Sequence, residues 1–139
     1  MSTGAELELL DSADPAGRDK PATRVRDPWD DAEGGRLLCR FCGSEVTARG
    51  WACPVQGCHE HSFVNPHGYL YRIACFRLAP GCVPWGPEIA EYSWFPGATW
   101  QIAHCAGCGS HLGWSFRTQE ERFHGLIMDR LVEQARGEV

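Results

Sequence analysis

Residues 93–116 read SWFPGATWQIAHCAGCGSHLGWSF, and this stretch decides how the rest of the chain is interpreted. It holds three of the six tryptophans, two of the six phenylalanines and one Cys-x-x-Cys pair. Such a density of aromatic side chains around a metal-type turn has two explanations. The aromatic residues form the core of a small domain, or they line a pocket, and their spacing alone leaves both explanations open.

The aromatic residues are spaced so that four of them can face one another. Trp114 and Phe116 lie two apart in a predicted strand, so they share one face, and Ser115 points the other way. Trp94 and Trp100 bracket a Phe-Pro-Gly turn that can bring both rings over that face. A box of this kind takes a methylated ammonium by cation–π attraction, or a small flat ring held by apolar walls and backbone hydrogen bonds.

Two cysteine pairs predict a metal site. Cys39-x-x-Cys42 is followed by Gly43, and Cys105-x-x-Cys108 is followed by Gly109. This spacing lets both thiolates of one tight turn reach the same ion, and two such turns make a closed tetrahedral four-cysteine site that suits structural Zn²⁺. We therefore expect one zinc ion per chain that joins two distant hairpins. With four thiolates and no open position, a hydrolytic role for this metal is not expected.

The remaining cysteines carry weaker signals. Cys75 lies in the middle of a predicted strand and is expected to be a core thiol. Cys53 and Cys58 lie near two histidines, where loop packing is the simpler interpretation and a second metal site the alternative. Cys82 falls in a Pro- and Gly-rich segment that we interpret as a loop.

Short apolar runs broken by Gly and Pro predict an all-β domain with mostly antiparallel strands. A hairpin that carries the first Cys-x-x-Cys turn is expected over residues 36–54, and a turn at 65–68. Further strands are expected at 69–78, 98–105, 111–117 and 123–127, the last of these being the final strand. Only residues 128–136, MDRLVEQAR, show a helical pattern, of one or two turns.

Composition divides the 139 residues unequally. Residues 1–34 are predicted to be a disordered acidic tail, 35–134 the folded domain, and 135–139 a flexible C-terminus. Residues 1–33 carry nine acidic and four basic side chains, whereas residues 34–139 carry nine of each. The folded part therefore lacks the basic surface expected of a nucleic-acid-binding protein.

The location of the protein is also bounded by the sequence. No apolar run is long enough to predict a membrane span, and no signal peptide is recognisable. We expect a cytoplasmic protein, in which the eight cysteines serve as metal ligands and buried thiols rather than as disulfides.

The ordered set of motifs closely resembles the thalidomide-binding, or CULT, domain of the cereblon family. The resemblance rests on the quoted stretch, on CRFC at 39–42, NPHGY at 65–69 and FHGLI at 123–127, and it covers roughly residues 36–132. The chain looks like a bacterial-type single-domain member. Animal cereblon is a ubiquitin-ligase substrate receptor with two further domains, for which this chain has no room, so we do not expect a ligase adaptor domain or ligase function here.

The resemblance implies a β-tent of two antiparallel sheets pinned by Zn²⁺ at the four cysteines. It also implies a binding module, not an enzyme, whose cage takes cyclic imides: glutarimides such as thalidomide, succinimides, and C-terminal cyclic imides of damaged proteins. Uridine-like pyrimidines share the same CO–NH–CO edge. The implied ligand-binding residues are the cage Trp94, Trp100 and Trp114 with Phe116 at its base, the backbone of Tyr92 and Trp94, and the loop residues Asn65 and Pro66 over the mouth.

Other functions stay open beside this one. An enzyme that acts on cyclic imides needs a nucleophile or an activated water, and the nearby candidates are His67, His104, His111 and Glu91. Methionine sulfoxide reductases of the B type share a zinc tent with two such turns, but they need a late reactive cysteine, and no cysteine follows Cys108. A methylated-ammonium cage and a zinc domain without a pocket complete the alternatives.

Overall fold

The structure, a computed structural model, describes residues 27–134. The chain divides between Asp30 and Asp31 into two units, and every strand described below belongs to the second. A 3-10 turn runs over Pro28–Asp31. The predictions for the first 26 residues of the acidic tail and for the flexible C-terminus at 135–139 lie outside the described residues.

Three short strands form the smaller sheet. They are β1 (Arg36–Cys39), β2 (Glu45–Ala48) and β9 (Leu131–Glu133), in the order β9-β1-β2 with antiparallel pairing. The first Cys-x-x-Cys turn joins β1 to β2, as the sequence predicted. A single 3-10 turn, Arg49–Trp51, follows β2 and buries its tryptophan.

Six strands form the larger sheet, in the order β3-β4-β8-β7-β6-β5, again with antiparallel pairing. Their bounds are β3 (Glu60–Val64), β4 (Leu70–Phe76), β5 (Cys82–Ile89), β6 (Thr99–Cys105), β7 (His111–Arg117) and β8 (Arg122–Ile127). The prediction of an all-β fold of two antiparallel sheets is confirmed.

Three sequence predictions were wrong in detail. Within the segment 128–136 that shows a helical pattern, Met128–Arg130 form a 3-10 turn and Leu131–Glu133 form the strand β9, in which Leu131 pairs with Cys39. Residues 135 and 136 lie outside the described residues. A helix of one or two turns gains too little from its own hydrogen bonds, and pairing with β1 satisfies the backbone instead. The strand at 123–127 is therefore not the final one. Cys82, expected in a loop, begins the edge strand β5 and is buried.

One cluster of the hydrophobic core lies on the face of the larger sheet that carries the tryptophans. It contains seven buried residues: Ile73, Cys75, Phe95, Ala98, Phe116, Phe123 and Ile127. The expected role of Cys75 as a core thiol is confirmed, since it is fully buried in this cluster. Three tryptophans, Trp94, Trp100 and Trp114, pack against the core while remaining only partly buried. The core thus carries a layer of tryptophans on its outer side.

Glycine permits close strand packing beneath that layer. A Cβ atom on Gly113 of β7 would lie 2.1 Å from the carbonyl oxygen of Gly125 on β8. Such a distance is far inside van der Waals contact, so only glycine fits at this position. The close approach of β7 to β8 therefore occurs one residue before Trp114.

Candidate functional site

Four cysteine side chains converge where the two hairpin turns meet. The sulfur atoms of Cys39, Cys42, Cys105 and Cys108 all lie within 4.8 Å of one another. Two of the separations are 3.7 Å, for Cys39 to Cys108, and 3.6 Å, for Cys42 to Cys105. Among residues 27–134 this is the group of His, Cys, Asp and Glu side chains close enough to hold a metal ion.

The same local turn builds both halves of the cluster. Gly43 donates its amide to the carbonyl of Cys39, and Gly109 does the same to Cys105, each over 2.8 Å. Both glycines have positive φ, 80° and 82°, which L-residues with a side chain adopt at a cost. The sequence Cys-x-x-Cys-Gly therefore encodes the turn, and the turn aims its two sulfurs at one point.

The donor set fits a tetrahedral ion. A Zn–S bond of about 2.3 Å places tetrahedral sulfurs about 3.8 Å apart, close to the separations observed. Backbone amides also point at the sulfurs, from Phe41 to Cys39 at 3.4 Å and from Gly107 to Cys105 at 3.3 Å. Such amide–thiolate contacts stabilise the negative charge of the thiolates. The four clustered cysteines are therefore suited to bind a metal cation.

Protonation at the cluster is uneven. Burial raises the pKa of Cys39 to about 12. Burial also acts to raise the pKa of Cys105, but hydrogen bonds from Ser44 and from the backbone of Cys108 and Gly107 lower it to about 6. A cation bound by all four sulfurs must therefore displace at least the proton of Cys39, so binding is coupled to proton release.

The other cysteines do not extend the metal site. No third ligand joins Cys53 and Cys58 among the described residues, so the alternative of a second metal site there is not supported. Cys82 is buried beside Cys105 in the β5–β6 ladder, and burial raises its pKa to about 12. All eight cysteines are free thiols.

The aromatic residues line a cavity of 440 Å³ on the larger sheet. Its wall contains all seven residues that the family resemblance marked as ligand-binding: Asn65, Pro66, Tyr92, Trp94, Trp100, Trp114 and Phe116. His67 and Ile102 complete the lining. The structure therefore brings the seven together around one space, which removes the alternative of a zinc domain without a pocket.

Neighbouring strands supply two walls and the floor. In the β6–β7 ladder, Trp100 pairs with Phe116 and Ile102 pairs with Trp114. Cross-strand partners lie on the same face of a sheet, so these four side chains point into the same space. Ile102 was missed at the sequence level, although its position two residues after Trp100 in one strand was the available signal.

Trp94 forms a third wall from the loop between β5 and β6. Its ring meets that of Trp114 edge-on, with centroids 4.8 Å apart, and stacks on Phe63 at the same distance. Tyr71 contacts the same pair from β4, 5.2 Å from Trp114 and 6.2 Å from Trp94. Phe63 and Tyr71 thus hold the two tryptophans in place, a supporting role that no sequence motif indicated.

The loop that carries Trp94 leaves two backbone groups unpaired. Tyr92 has a φ of 60°, which is unusual for a bulky residue, and its side chain is 81% exposed. Neither the Tyr92 carbonyl nor the Trp94 amide has a hydrogen-bond partner within residues 27–134. The Trp100 indole holds this loop by donating a hydrogen bond to the Glu91 carbonyl over 2.8 Å.

The turn at 65–68 borders the cavity. Gly68 donates its amide to the carbonyl of Asn65 over 2.9 Å, which closes the predicted turn. The Asn65 side-chain oxygen accepts from the amides of His67, at 3.0 Å, and Tyr69, at 2.9 Å. The Asn65 side chain therefore stabilises the turn. Pro66 and His67 are exposed and line the cavity beside it.

Of the four candidate catalytic groups, only His67 lines the cavity. The ring of His111 bonds the Gly113 carbonyl at 3.0 Å and meets Trp114 edge-on. Burial lowers the pKa of His111, which favours its neutral form. His104 packs between Trp85 and His111.

A buried polar pair lies behind the cavity. The Ser115 hydroxyl and His124 Nδ1 are 2.8 Å apart, and both side chains are buried. Ser115 does point away from Trp114 and Phe116, as strand alternation predicted. Burial lowers the pKa of His124 to about 4, so this pair is neutral and serves to satisfy polar atoms inside the sheet.

Comparison with curated proteins finds cereblons. The chain is 33% identical over 114 residues to "Protein cereblon" of Xenopus tropicalis, covering 74% of this chain and 26% of that protein. It is 33% identical over 103 residues to the Gallus gallus protein, covering 69% and 23%, and 37% identical over 104 residues to the Danio rerio protein, covering 69% and 24%. The chain spans about a quarter of the length of these relatives.

No protein-family model matches the chain. The part of the chain that the structure describes contains no helix long and apolar enough to cross a membrane.

Proposed function

The chain carries a cereblon-type domain, and we propose that this domain is a zinc-stabilised binding module for cyclic imides. The ligand class comprises glutarimides, including thalidomide-type compounds, succinimides and C-terminal cyclic imides of damaged proteins. Uridine-like pyrimidines belong to it because they present the same CO–NH–CO edge. One observation carries the proposal: Tyr92 and Trp94 line the tryptophan cavity, and within residues 27–134 neither the Tyr92 carbonyl nor the Trp94 amide has a hydrogen-bond partner.

The two backbone groups match the edge of an imide. The Tyr92 carbonyl accepts a hydrogen bond from the imide N–H, and the Trp94 amide donates one to an imide oxygen. A flat ring oriented in this way contacts Trp94, Trp100 and Trp114 with its faces and edges, which contributes apolar burial. Since the pairing takes place inside an aromatic cage, a ligand without the N–H leaves the carbonyl buried and unpaired, which costs about 1–3 kcal/mol.

The ion held by the cysteine cluster is proposed to be Zn²⁺. Four thiolates at tetrahedral spacing are the donor set of structural zinc, and when bound the ion would fix the turns that precede β2 and β7. β7 carries Trp114 and Phe116, so the metal would stabilise one wall of the cavity and its floor. Free thiols and a zinc–thiolate site both suit a reducing compartment, and we place the protein in the cytoplasm.

The proposal is for binding without catalysis. His67 is the single titratable imidazole on the cavity wall, and its ring has no orienting partner within residues 27–134. A general base is normally held by a second group, which this arrangement lacks. Among the described residues, the cavity lining also contains no carboxylate, which disfavours a methylated-ammonium ligand.

The test is a titration of the zinc-loaded protein followed by tryptophan fluorescence. Glutarimide is the ligand, and N-methylglutarimide and trimethyl-lysine are the controls. We expect saturable binding of glutarimide, at least tenfold weaker binding after N-methylation, and no response to trimethyl-lysine. Equal binding of the N-methyl compound, or binding of trimethyl-lysine alone, would refute the proposed recognition. Mass spectrometry of the recovered glutarimide separates binding from turnover, and we expect it unchanged.

A further inference from the structure

A second cavity, of 740 Å³, lies beside the tryptophan cage and has no role in the account above. It runs between residues 70–72 of β4 and the 3-10 turn Met128–Arg130. The two walls separate there because the β4–β8 ladder ends at the pair Ile73 and Ile127, after which the chain turns away from the sheet. The result is a groove that continues the line of β8.

One wall of the groove is an unpaired strand edge. Residues 70–72 pair with β3 on one side, through Val64, Phe63 and Ser62. On the other side, no strand within residues 27–134 pairs with them, since β8 reaches only to Ile73. A free edge that borders a groove is the geometry into which an extended peptide adds as a further strand.

The groove begins where the cage ends. Tyr69, in the groove wall, donates its amide to the side chain of Asn65, which lines the cage, over 2.9 Å. Tyr71, also in the groove wall, contacts Trp94 and Trp114. Tyr71 therefore contacts both the groove and two tryptophans of the cage. An extended chain advances about 3.3 Å per residue, so we expect a short peptide to reach from one to the other.

The charges of the groove indicate which peptide it suits. In the part of the chain that the structure describes, Arg72 and Arg130 line the groove together with a single acid, Asp129. The Arg72 side chain is 64% exposed and lies 3.7 Å from Glu60, a distance at which an exposed pair contributes little. Arg130 donates to the His111 carbonyl at 2.8 Å, with its guanidinium over the Tyr71 ring. Exposed Tyr69 and Leu70 supply apolar surface.

We propose that this groove binds the residues that precede a C-terminal cyclic imide, as an extended strand paired with residues 70–72. The groove favours acidic and apolar side chains in that strand. This inference rests on the proposed function and deepens it. The ligand of the cage is the C-terminal end of a peptide chain, and the groove selects among peptides by contacting the residues that precede the cyclic imide.

The test compares a single capped ring with a peptide. The probes are 3-acetamidoglutarimide and an acetylated hexapeptide that ends in 3-aminoglutarimide, has valine and threonine at its central positions and carries one glutamate. A second hexapeptide has lysine in place of that glutamate, and a third has N-methylated amides at alternate backbone positions. Binding is measured by calorimetry to the full chain, to Arg72→Glu, and to Arg122→Glu, an exposed charge reversal on β8 outside the groove.

We expect the glutamate peptide to bind about tenfold tighter than 3-acetamidoglutarimide. Lysine, backbone N-methylation and Arg72→Glu should each remove most of that gain, whereas Arg122→Glu should keep it. If 3-acetamidoglutarimide binds and every peptide binds the protein with the same affinity as that single ring, the groove proposal fails and the proposed function stands. If neither ring nor peptide binds, the proposed function itself fails.

Discussion

The cysteine cluster draws its four ligands from two copies of one turn, whereas the tryptophan cavity draws its walls from two strands and two loops. In the cluster, each pair of ligands lies within four residues, and the glycine that follows fixes the geometry locally. In the cavity, Trp94 and Trp114 are 20 positions apart and meet only because the sheet has formed. One site is encoded locally and helps the fold, and the other is a consequence of the fold.

This difference predicts how each region responds to change. A substitution in the cluster should remove structure and function together, because the sulfurs join two distant hairpins. A substitution in the cavity should remove binding and leave most of the structure, because its tryptophans are only partly buried against the core. The expected effects therefore range from loss of the fold to a small change in affinity.

The largest effect is expected from Cys105→Ser. Structural zinc binding contributes on the order of 10 kcal/mol, comparable with the whole stability of a small domain. The variant should therefore lose its zinc and be largely unfolded at 25 °C, as measured by metal analysis and circular dichroism. Cys58→Ser is the matched control, since Cys58 is exposed and outside the cluster. A folded, metal-free Cys105→Ser would show that the cluster is not needed for the fold.

The next effect is confined to binding. Trp100→Ala removes one wall of the cavity and the indole hydrogen bond to the Glu91 carbonyl. We expect glutarimide affinity to fall by about a hundredfold, through lost aromatic contact and a less fixed loop, with zinc content unchanged. Trp85→Ala is the control, because Trp85 is exposed and does not line the cavity. Comparable losses in both variants would mean that the cavity is not the binding site.

Much of the difference between the two sites could be predicted from the sequence, and there are physical reasons why the rest could not. The turns of the cysteine cluster are local, so Cys-x-x-Cys-Gly predicted them outright. Strand alternation gave the shared face of Trp114 and Phe116, yet it did not separate a pocket from a core, because both require the same spacing. The supporting rings of Phe63 and Tyr71 come from distant strands, so only the fold reveals them. The strand at residues 131–133 was missed because its partner lies about 90 residues earlier.

Low pH should destabilise the fold through a third site, the buried His124. Its pKa is lowered to about 4 from an ordinary value near 6.5, so the unfolded chain binds the proton more readily than the folded one. Stability is then complete above pH 6.5 and falls as the pH drops towards 4, by about 2 kcal/mol between pH 7 and pH 5.

The variant His124→Asn tests this pH dependence while offering Ser115 an amide partner. Denaturant unfolding at pH 7 and pH 5 should show a smaller pH-dependent loss in the variant than in the parent protein. An equal loss in both would show that the acid sensitivity does not arise at His124. The measurement therefore isolates the contribution of the buried pair behind the cavity.

The smallest effect should come from His111→Ala, at the point where the two regions meet. His111 follows Cys108 by three residues, and its ring packs against Trp114. Removing the ring lets Trp114 move, so glutarimide binding should weaken by about threefold to tenfold while zinc content stays at one per chain. If zinc is lost as well, His111 supports the cluster, and the division between the two regions is less sharp.

The central claim is that an imide edge pairs with the backbone of Tyr92 and Trp94 inside the tryptophan cage. The most direct measurement is a ¹H–¹⁵N correlation spectrum of the zinc-loaded protein titrated with glutarimide and with N-methylglutarimide. We predict that glutarimide shifts the Trp94 amide signal and the indole signals of Trp94, Trp100 and Trp114 most, and that the amide signals of Cys42 and Cys108 stay unchanged. The N-methyl compound should shift the same signals far more weakly. Largest shifts outside the cavity, or equal shifts with both compounds, would contradict it.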